Sequence, residues 1–553
     1  MALLDIPISV NRSSRHLTAP GKNGIAYVCN AGVQSLSSST DFVKHKSRSM
    51  RIAATMVSPS IDRGRVVKYP KHPAWESVKQ ERWEGKLQIE GQIPDWLNGT
   101  YIRNGPGVYD IGGEDSKNFF DGYATLVRLH FEDGGLTACH AQLQSEAYKA
   151  AIKNNRVCCR EFSTIPKTSN ILSTIRNIAG LLTGDLITDN AIISVARLGD
   201  GRVICLTETM KGTIQINPNT LETIGPFKYT DKLGALNQSG HPIVSDTEFI
   251  TLLPDFVNPG YHVIRMLPGT NQRNLIGKVN CRSDTSVGWV HSFALTDNYI
   301  IVPEMPMKYS PKNILSGDLL EWHQDSMAYM HVISKETGDM VASVEVPQFM
   351  AFHFINAYEE KDEGSGKPIS IIVDSCEYYG SAEIWEIMRL QHLRSFVGND
   401  ILPNSRIGRF NIPLNGSLRG TLETAIPPKE HGRGIDMCTI NPKYRGKMYR
   451  YAYGCGTKRP CHYANCLTKI DLKEKSSKFW YDEGSIPSEP FFVGHPGENA
   501  EDDGVVISIV TSKDGNGFVV ILDGSTFTEI ARAKLPYGLP YGLHGCWIPS
   551  VQA

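Results

Sequence analysis

No stretch of this 553-residue chain approaches the roughly 18 consecutive apolar residues that a membrane-spanning helix requires. A crossing helix is therefore excluded, while contact with a membrane surface is not. Charge of one sign is missing too, with 57 Lys plus Arg against 58 Asp plus Glu. That balance removes the basic field needed to hold nucleic acid and any acidic tail. The 12 cysteines are scattered from Cys29 to Cys546 without a dense framework, which points to a reducing compartment. Cys455, Cys461 and Cys466 lack the paired two-residue gaps of structural zinc sites.

Acids are nearly absent from residues 1–57, where only Asp5 and Asp41 stand against Arg12, Arg15, Lys22, Lys44, Lys46, Arg48, Arg51 and abundant serine. There is no compact apolar core of a secretory signal. This Ser-rich, basic, acid-poor composition predicts an organelle transit peptide over 1–57, followed by one domain over 58–551.

Within that body one segment reads as a helix. Ile171, Ile175, Ile178 and Leu182 recur at helical spacing opposite Ser173, Thr174, Arg176 and Asn177, predicting an amphipathic helix over 170–183. Such a helix packs on a core or lies in a membrane interface. Elsewhere short strands and turns dominate. Hairpins are predicted over 292–302, 330–344 and 505–522, with turns at Thr296-Asp297-Asn298, Thr337-Gly338-Asp339 and Asp514-Gly515-Asn516-Gly517. So many hairpins predict an all-β propeller, whose radial repetition protects strand edges. No Gly-His…Trp-Asp repeat marks it as a protein-docking propeller.

Histidines in apolar settings stand out. His353 interrupts Met350-Ala351-Phe352-His353-Phe354-Ile355, where strict alternation would place it with Ala351 and Ile355 and turn both phenylalanines away. A histidine buried there unpaired would cost about 1–3 kcal/mol, so it needs a hydrogen-bond partner or a metal. His241, His291 and His544 have similar surroundings. The four are separated by 50, 62 and 191 residues, so no single helix or loop can bring them to one centre, whereas a closed ring of blades can. Four neutral imidazoles suit iron, zinc, copper or nickel better than magnesium or calcium. Ligating imidazoles usually donate their second N–H to a carboxylate. Glu208, Asp436 and Glu489 are acids in apolar context that could accept one, or could be ordinary turn acids.

These histidine contexts are joined by Arg103-Asn104-Gly105-Pro106, Phe120-Asp121-Gly122, Asn356-Ala357-Tyr358-Glu359-Glu360, the run Ile440–Gly454 and Ser488-Glu489-Pro490-Phe491-Phe492-Val493. Together, in order over roughly residues 75–550, they resemble the carotenoid cleavage dioxygenases. The resemblance implies a seven-bladed β-propeller with a helical and loop cap over the face bearing the active site. It also implies one Fe(II) per chain held by His241, His291, His353 and His544, with O₂ as co-substrate. Matched motif to motif, Glu208 would hold His291, Asp436 would hold His353 and Glu489 would hold His544.

Asp436 departs from the pattern, since most of the family has Glu there. The missing methylene shortens the reach by about 1.3–1.5 Å, so the strand must lie closer or a water must bridge. The implied partner is an apocarotenoid polyene in an apolar tunnel, with Trp289, Phe352, Phe354 and Trp547 as wall candidates. The 170–183 helix would make peripheral membrane contact, and the leader would direct the chain to the chloroplast. Cleavage of another carotenoid or epoxycarotenoid at a different bond, or a propeller that binds apocarotenoids without turnover, are the alternatives.

Overall fold

The computed structural model describes residues 71–550 apart from 168–179, 181–185, 210, 235–236, 283–285, 311–312, 314–318, 396–401 and 498. The leader expected over 1–57 and the helix expected over 170–183 lie outside the described residues.

Seven antiparallel sheets form a β-propeller. Four are uninterrupted meanders whose first strands are Ser194–Arg197, Ile243–Val244, Ala351–Lys361 and Ile435–Thr439; a fifth begins at Ala294–Leu295 and is interrupted by the small hairpin of Met307–Tyr309 with Leu320–Trp322. The remaining two close the ring with segments remote in sequence. Gly545–Pro549 pairs with Gly99–Arg103, and Gln88–Gly91 adds to Glu529–Leu535 at the outer edge of the last sheet. Segments from the N-terminal and C-terminal parts of the described residues are thereby built into the ring, which pairs their strand edges.

The hairpins expected from the sequence are present: Ala294–Leu295 with Tyr299–Glu304, Ala328–Ser334 with Met340–Val346, and Gly504–Ser512 with Gly517–Asp523. Two of their turns depend on glycine, because Gly338 and Gly515 adopt φ of 77° and 81°, the left-handed region where a Cβ is penalised. Helix is sparse among the described residues. Glu146–Asn154 is capped by the Ser145 hydroxyl, and the short turn Glu383–Ile387 places Ile384 and Trp385 on the walls of the cavities described below.

His241 and His291 each stand just ahead of a first strand, Ile243–Val244 and Ala294–Leu295. His353 lies within Ala351–Lys361, and His544 immediately precedes Gly545–Pro549. Four of the seven sheets thus deliver one histidine each to the same place.

Candidate metal centre

The ligand atoms of His241, His291, His353 and His544 all lie within 4.8 Å of one another. His241 Nε2 is 3.1 Å from His291 Nε2, and His353 Nε2 is 3.2 Å from His544 Nε2. Close approach of backbone permits this. A Cβ on Gly240 would sit 3.3 Å from the His291 ring, so glycine beside His241 leaves room for it.

Three of the four rings are fixed through Nδ1. His291 donates to Glu208 Oε1, His353 to Asp436 Oδ1 and His544 to Glu489 Oε1, each at 2.7 Å. His241 has no carboxylate partner among the described residues. With Nδ1 carrying the proton, the Nε2 atoms of His353 and His544 both present lone pairs, and two lone pairs 3.2 Å apart repel unless a cation lies between them. The spacing suits one: metal–nitrogen bonds of about 2.1 Å set at right angles put neighbouring nitrogens about 3.0 Å apart. The donor set is therefore one that could hold a metal ion.

Electrostatics keep the imidazoles in the form a cation needs. Burial holds His241 and His544 well below the ordinary histidine range, and neighbouring imidazoles push the same way. Burial lowers His291 to about 4 in spite of the opposing Glu208 carboxylate. Neutral rings offer lone pairs; charged rings would not.

Glu208 and Asp436 each do a second task. Glu208 Oε2 accepts the Trp289 indole N–H at 2.8 Å, so one carboxylate orients both His291 and Trp289. Asp436 Oδ2 accepts the Tyr378 hydroxyl, a partner that sequence reasoning missed. The Tyr378-Tyr379-Gly380 turn after a buried strand offered only a weak signal for it. Asp436 reaches His353 directly, and the strand achieves this by bulging. Pairing of Ile435–Thr439 with Tyr451–Gly456 shifts register between Asp436 and Thr439, Met437 takes φ of 54°, and its N–H donates back to Asp436 Oδ1 at 2.8 Å. A side chain at left-handed φ costs on the order of 1–3 kcal/mol, so surrounding contacts must hold it.

Two apolar cavities flank the histidines and share Phe120, Ile193 and His291 on their walls. The smaller, about 40 Å³, is also lined by Phe352, His353, His544 and Tyr463. The larger, about 310 Å³, is also lined by Trp289, Phe162, Tyr309 and Trp385.

Two of the four wall candidates, Trp289 and Phe352, therefore face these spaces, and the other two do not. Phe354 packs into the core against Phe349, and Trp547 packs against Phe131 in a separate apolar cluster. Strict alternation also fails at Phe352, which comes within 5.6 Å of the His291 ring and shares a cavity wall with His353. The cause is irregular pairing, with register shifts on both sides of Phe354. Period-two reasoning assumes a ladder that this strand interrupts.

Comparison with known proteins agrees with this geometry. A family model described as retinal pigment epithelial membrane protein matches residues 75–549. The chain is 56% identical over 481 residues to carotenoid cleavage dioxygenase 8 homolog B, chloroplastic, of Oryza sativa subsp. japonica, covering 86% of this chain and 84% of that protein. It is 56% identical over 490 residues to carotenoid cleavage dioxygenase 8, chloroplastic, of Arabidopsis thaliana, covering 87% and 86%. Among solved structures, a cobalt-substituted Synechocystis apocarotenoid oxygenase superposes with a TM-score of 0.73 at 23% identity, over 86% of this chain and 98% of that one, which shows a shared fold. With a family match spanning nearly the whole propeller and plant relatives identical at more than half of the aligned positions, the chain belongs to the carotenoid oxygenase family.

Proposed function

We propose that this protein is a chloroplast enzyme that uses Fe(II) and O₂ to cleave an apocarotenoid polyene, with 9-cis-10′-apo-β-carotenal as substrate and carlactone as product, a step in strigolactone formation. The observation that carries this reading is the convergence of four imidazoles beside two apolar cavities. The identity to plant proteins named carotenoid cleavage dioxygenase 8, chloroplastic, supports the substrate class and the compartment.

His241, His291, His353 and His544 would hold the iron, which when bound would supply the reactivity toward O₂ that cleaves the polyene, together with the rearrangement that forming carlactone requires. The protein's own part is positioning and exclusion of water. Glu208, Asp436 and Glu489 fix three rings. Phe120, Ile193, Phe352 and Trp289 enclose the polyene on either side of the histidines, and no nucleophilic side chain is required.

Purified protein is expected to carry about one iron per chain and to consume O₂ only when apocarotenal is added, yielding carlactone by mass. Chelation or His353→Ala should abolish both uptake and product. Full activity of the metal-stripped protein would refute the proposal.

A further inference from the structure

Among the polar side chains on the wall of the larger cavity, Glu161 is a buried carboxyl with an unpaired oxygen. Glu161 is 3% exposed, lines that cavity, and its Oε1 has no hydrogen-bond partner. An unsatisfied carboxyl oxygen at such a depth costs about 1–3 kcal/mol or more, an expense that folding alone does not require. Its backbone is fixed, and Thr188, Asn190 and Tyr123 stand beside its carboxyl, leaving Oε1 as the oxygen without a protein partner. The Glu161 N–H donates to Thr164 O at 3.0 Å, while neighbouring Arg160 bridges to Ile187.

Burial favours the protonated form of the Glu161 carboxyl. Burial pushes its carboxyl up to about 8, the charges of Asp121 and Asp189 add to the shift, and contacts with Thr188 and Asn190 oppose it. A carboxylic acid that keeps its proton in an apolar cavity can offer one O–H to a carbonyl oxygen. Other polar groups on the wall are less suited. Arg160 is already engaged, and Tyr309, although its hydroxyl is unbonded, sits beside Asn237. The Tyr123 hydroxyl near Glu161 is unbonded as well, but Tyr123 does not line the cavity.

Resting on the proposed apocarotenoid reading, we propose that Glu161 seats the carbonyl end of the substrate by donating its carboxyl proton to the aldehyde oxygen, and thereby sets which double bond lies at the histidine centre. The larger cavity then takes the aldehyde-bearing arm, and the smaller cavity, across His291, takes the other. The conjugated chain repeats the same methyl-branched unit, so dispersion contacts fix its depth less sharply than a directional hydrogen bond does. One hydrogen bond at Glu161 sets that depth.

The test compares two ligands on three variants of the full-length, iron-loaded protein. The ligands are 9-cis-10′-apo-β-carotenal and the hydrocarbon in which CH₃ replaces CHO. The variants are Glu161→Leu, Glu161→Gln and Tyr309→Phe. Binding is read from quenching of Trp289 and Trp385, which line the cavity, and cleavage position from product masses.

Glu161→Leu is expected to weaken aldehyde binding about tenfold, leave hydrocarbon binding unchanged, and spread cleavage over more than one double bond. Glu161→Gln, which keeps an N–H donor, should stay within about threefold of wild type with a single product. Equal loss for both ligands, loss for neither, or the same selective loss in Tyr309→Phe would overturn the assignment. Failure of the wild type to bind or cleave the apocarotenal would overturn the functional reading itself. Wild-type binding with no carbonyl preference would overturn only the role of Glu161.

Discussion

His353 and His544 each donate an Nδ1–H to a carboxylate 2.7 Å away, yet the two carboxylates arrive at that distance by different routes. Glu489 spans the gap with its own length. It projects from a short segment between Pro487 and Pro490, tied down where Ser488 Oγ accepts from Arg103 at 2.7 Å and the Ser508 hydroxyl donates to Ser488 O at 2.7 Å. Asp436 is a methylene shorter, and the backbone makes up the difference through the bulge at Met437.

The electrostatic setting differs in parallel. Burial pushes Asp436 up, but its interactions with His353 and the hydrogen bonds from Tyr378 and the Met437 N–H outweigh it, so the carboxyl is held below the usual range. Glu489, with fewer donors around it, is pushed by burial up to about 8. The same ring contact can thus rest on side-chain length at one corner and on backbone shape plus a second donor at the other.

The sharpest break in this comparison is Glu489→Asp. The carboxylate retreats by about 1.3–1.5 Å. Pro490 fixes φ in the very next residue, so the segment cannot bulge forward as the Asp436 strand does. His544 loses its partner, and iron affinity is expected to fall about 10–100-fold, the usual cost of removing a group that orients a metal-bound imidazole. Iron retained per chain after dialysis against a competing chelator measures this. Retention at the wild-type level would show that the two corners are equally adaptable.

Asp436→Glu probes the opposite corner and should do less. The added methylene enters a space already filled by the Tyr378 hydroxyl and the Met437 N–H. Overpacking of this kind costs about 1–3 kcal/mol, visible as a lowered unfolding midpoint in denaturant, with iron still bound. An unchanged midpoint would mean that the bulge follows side-chain length instead of being set by the strand.

The contrast also explains what could be seen in the sequence. Four histidines in apolar strands and hairpin turns with left-handed glycines are local signals, and the propeller with its converging imidazoles follows from them. The acids Glu208, Asp436 and Glu489 stood out because carboxylates in apolar runs need partners. How Asp436 reaches its histidine was not legible, because a bulge is a two-strand property and the pairing partner at 451–456 is nowhere marked in the run 435–439. Phe354 and Trp547 were misplaced for a related reason: aromatic neighbours of histidines look alike in sequence, and ladder irregularity decides which of them faces the cavity. Tyr378 and Glu161 are ordinary residue types in their segments, and only burial without an alternative partner distinguishes them.

The smallest expected effect is that of Tyr378→Phe. It removes the hydroxyl that bonds Asp436 Oδ2 but leaves the His353 and Met437 contacts on Oδ1 intact. A single hydrogen bond of about 0.5–1.5 kcal/mol predicts a 2- to 10-fold loss of iron affinity, with kcat of the loaded enzyme little changed. The informative measurement is the double variant with Asp436→Glu. If Tyr378 confines the carboxylate, its hydroxyl is part of what crowds the longer side chain, and the two destabilisations should sum to more than the double variant shows by at least about 0.5 kcal/mol. Strict additivity would detach Tyr378 from the positioning of His353 and leave the bulge alone to account for the short side chain.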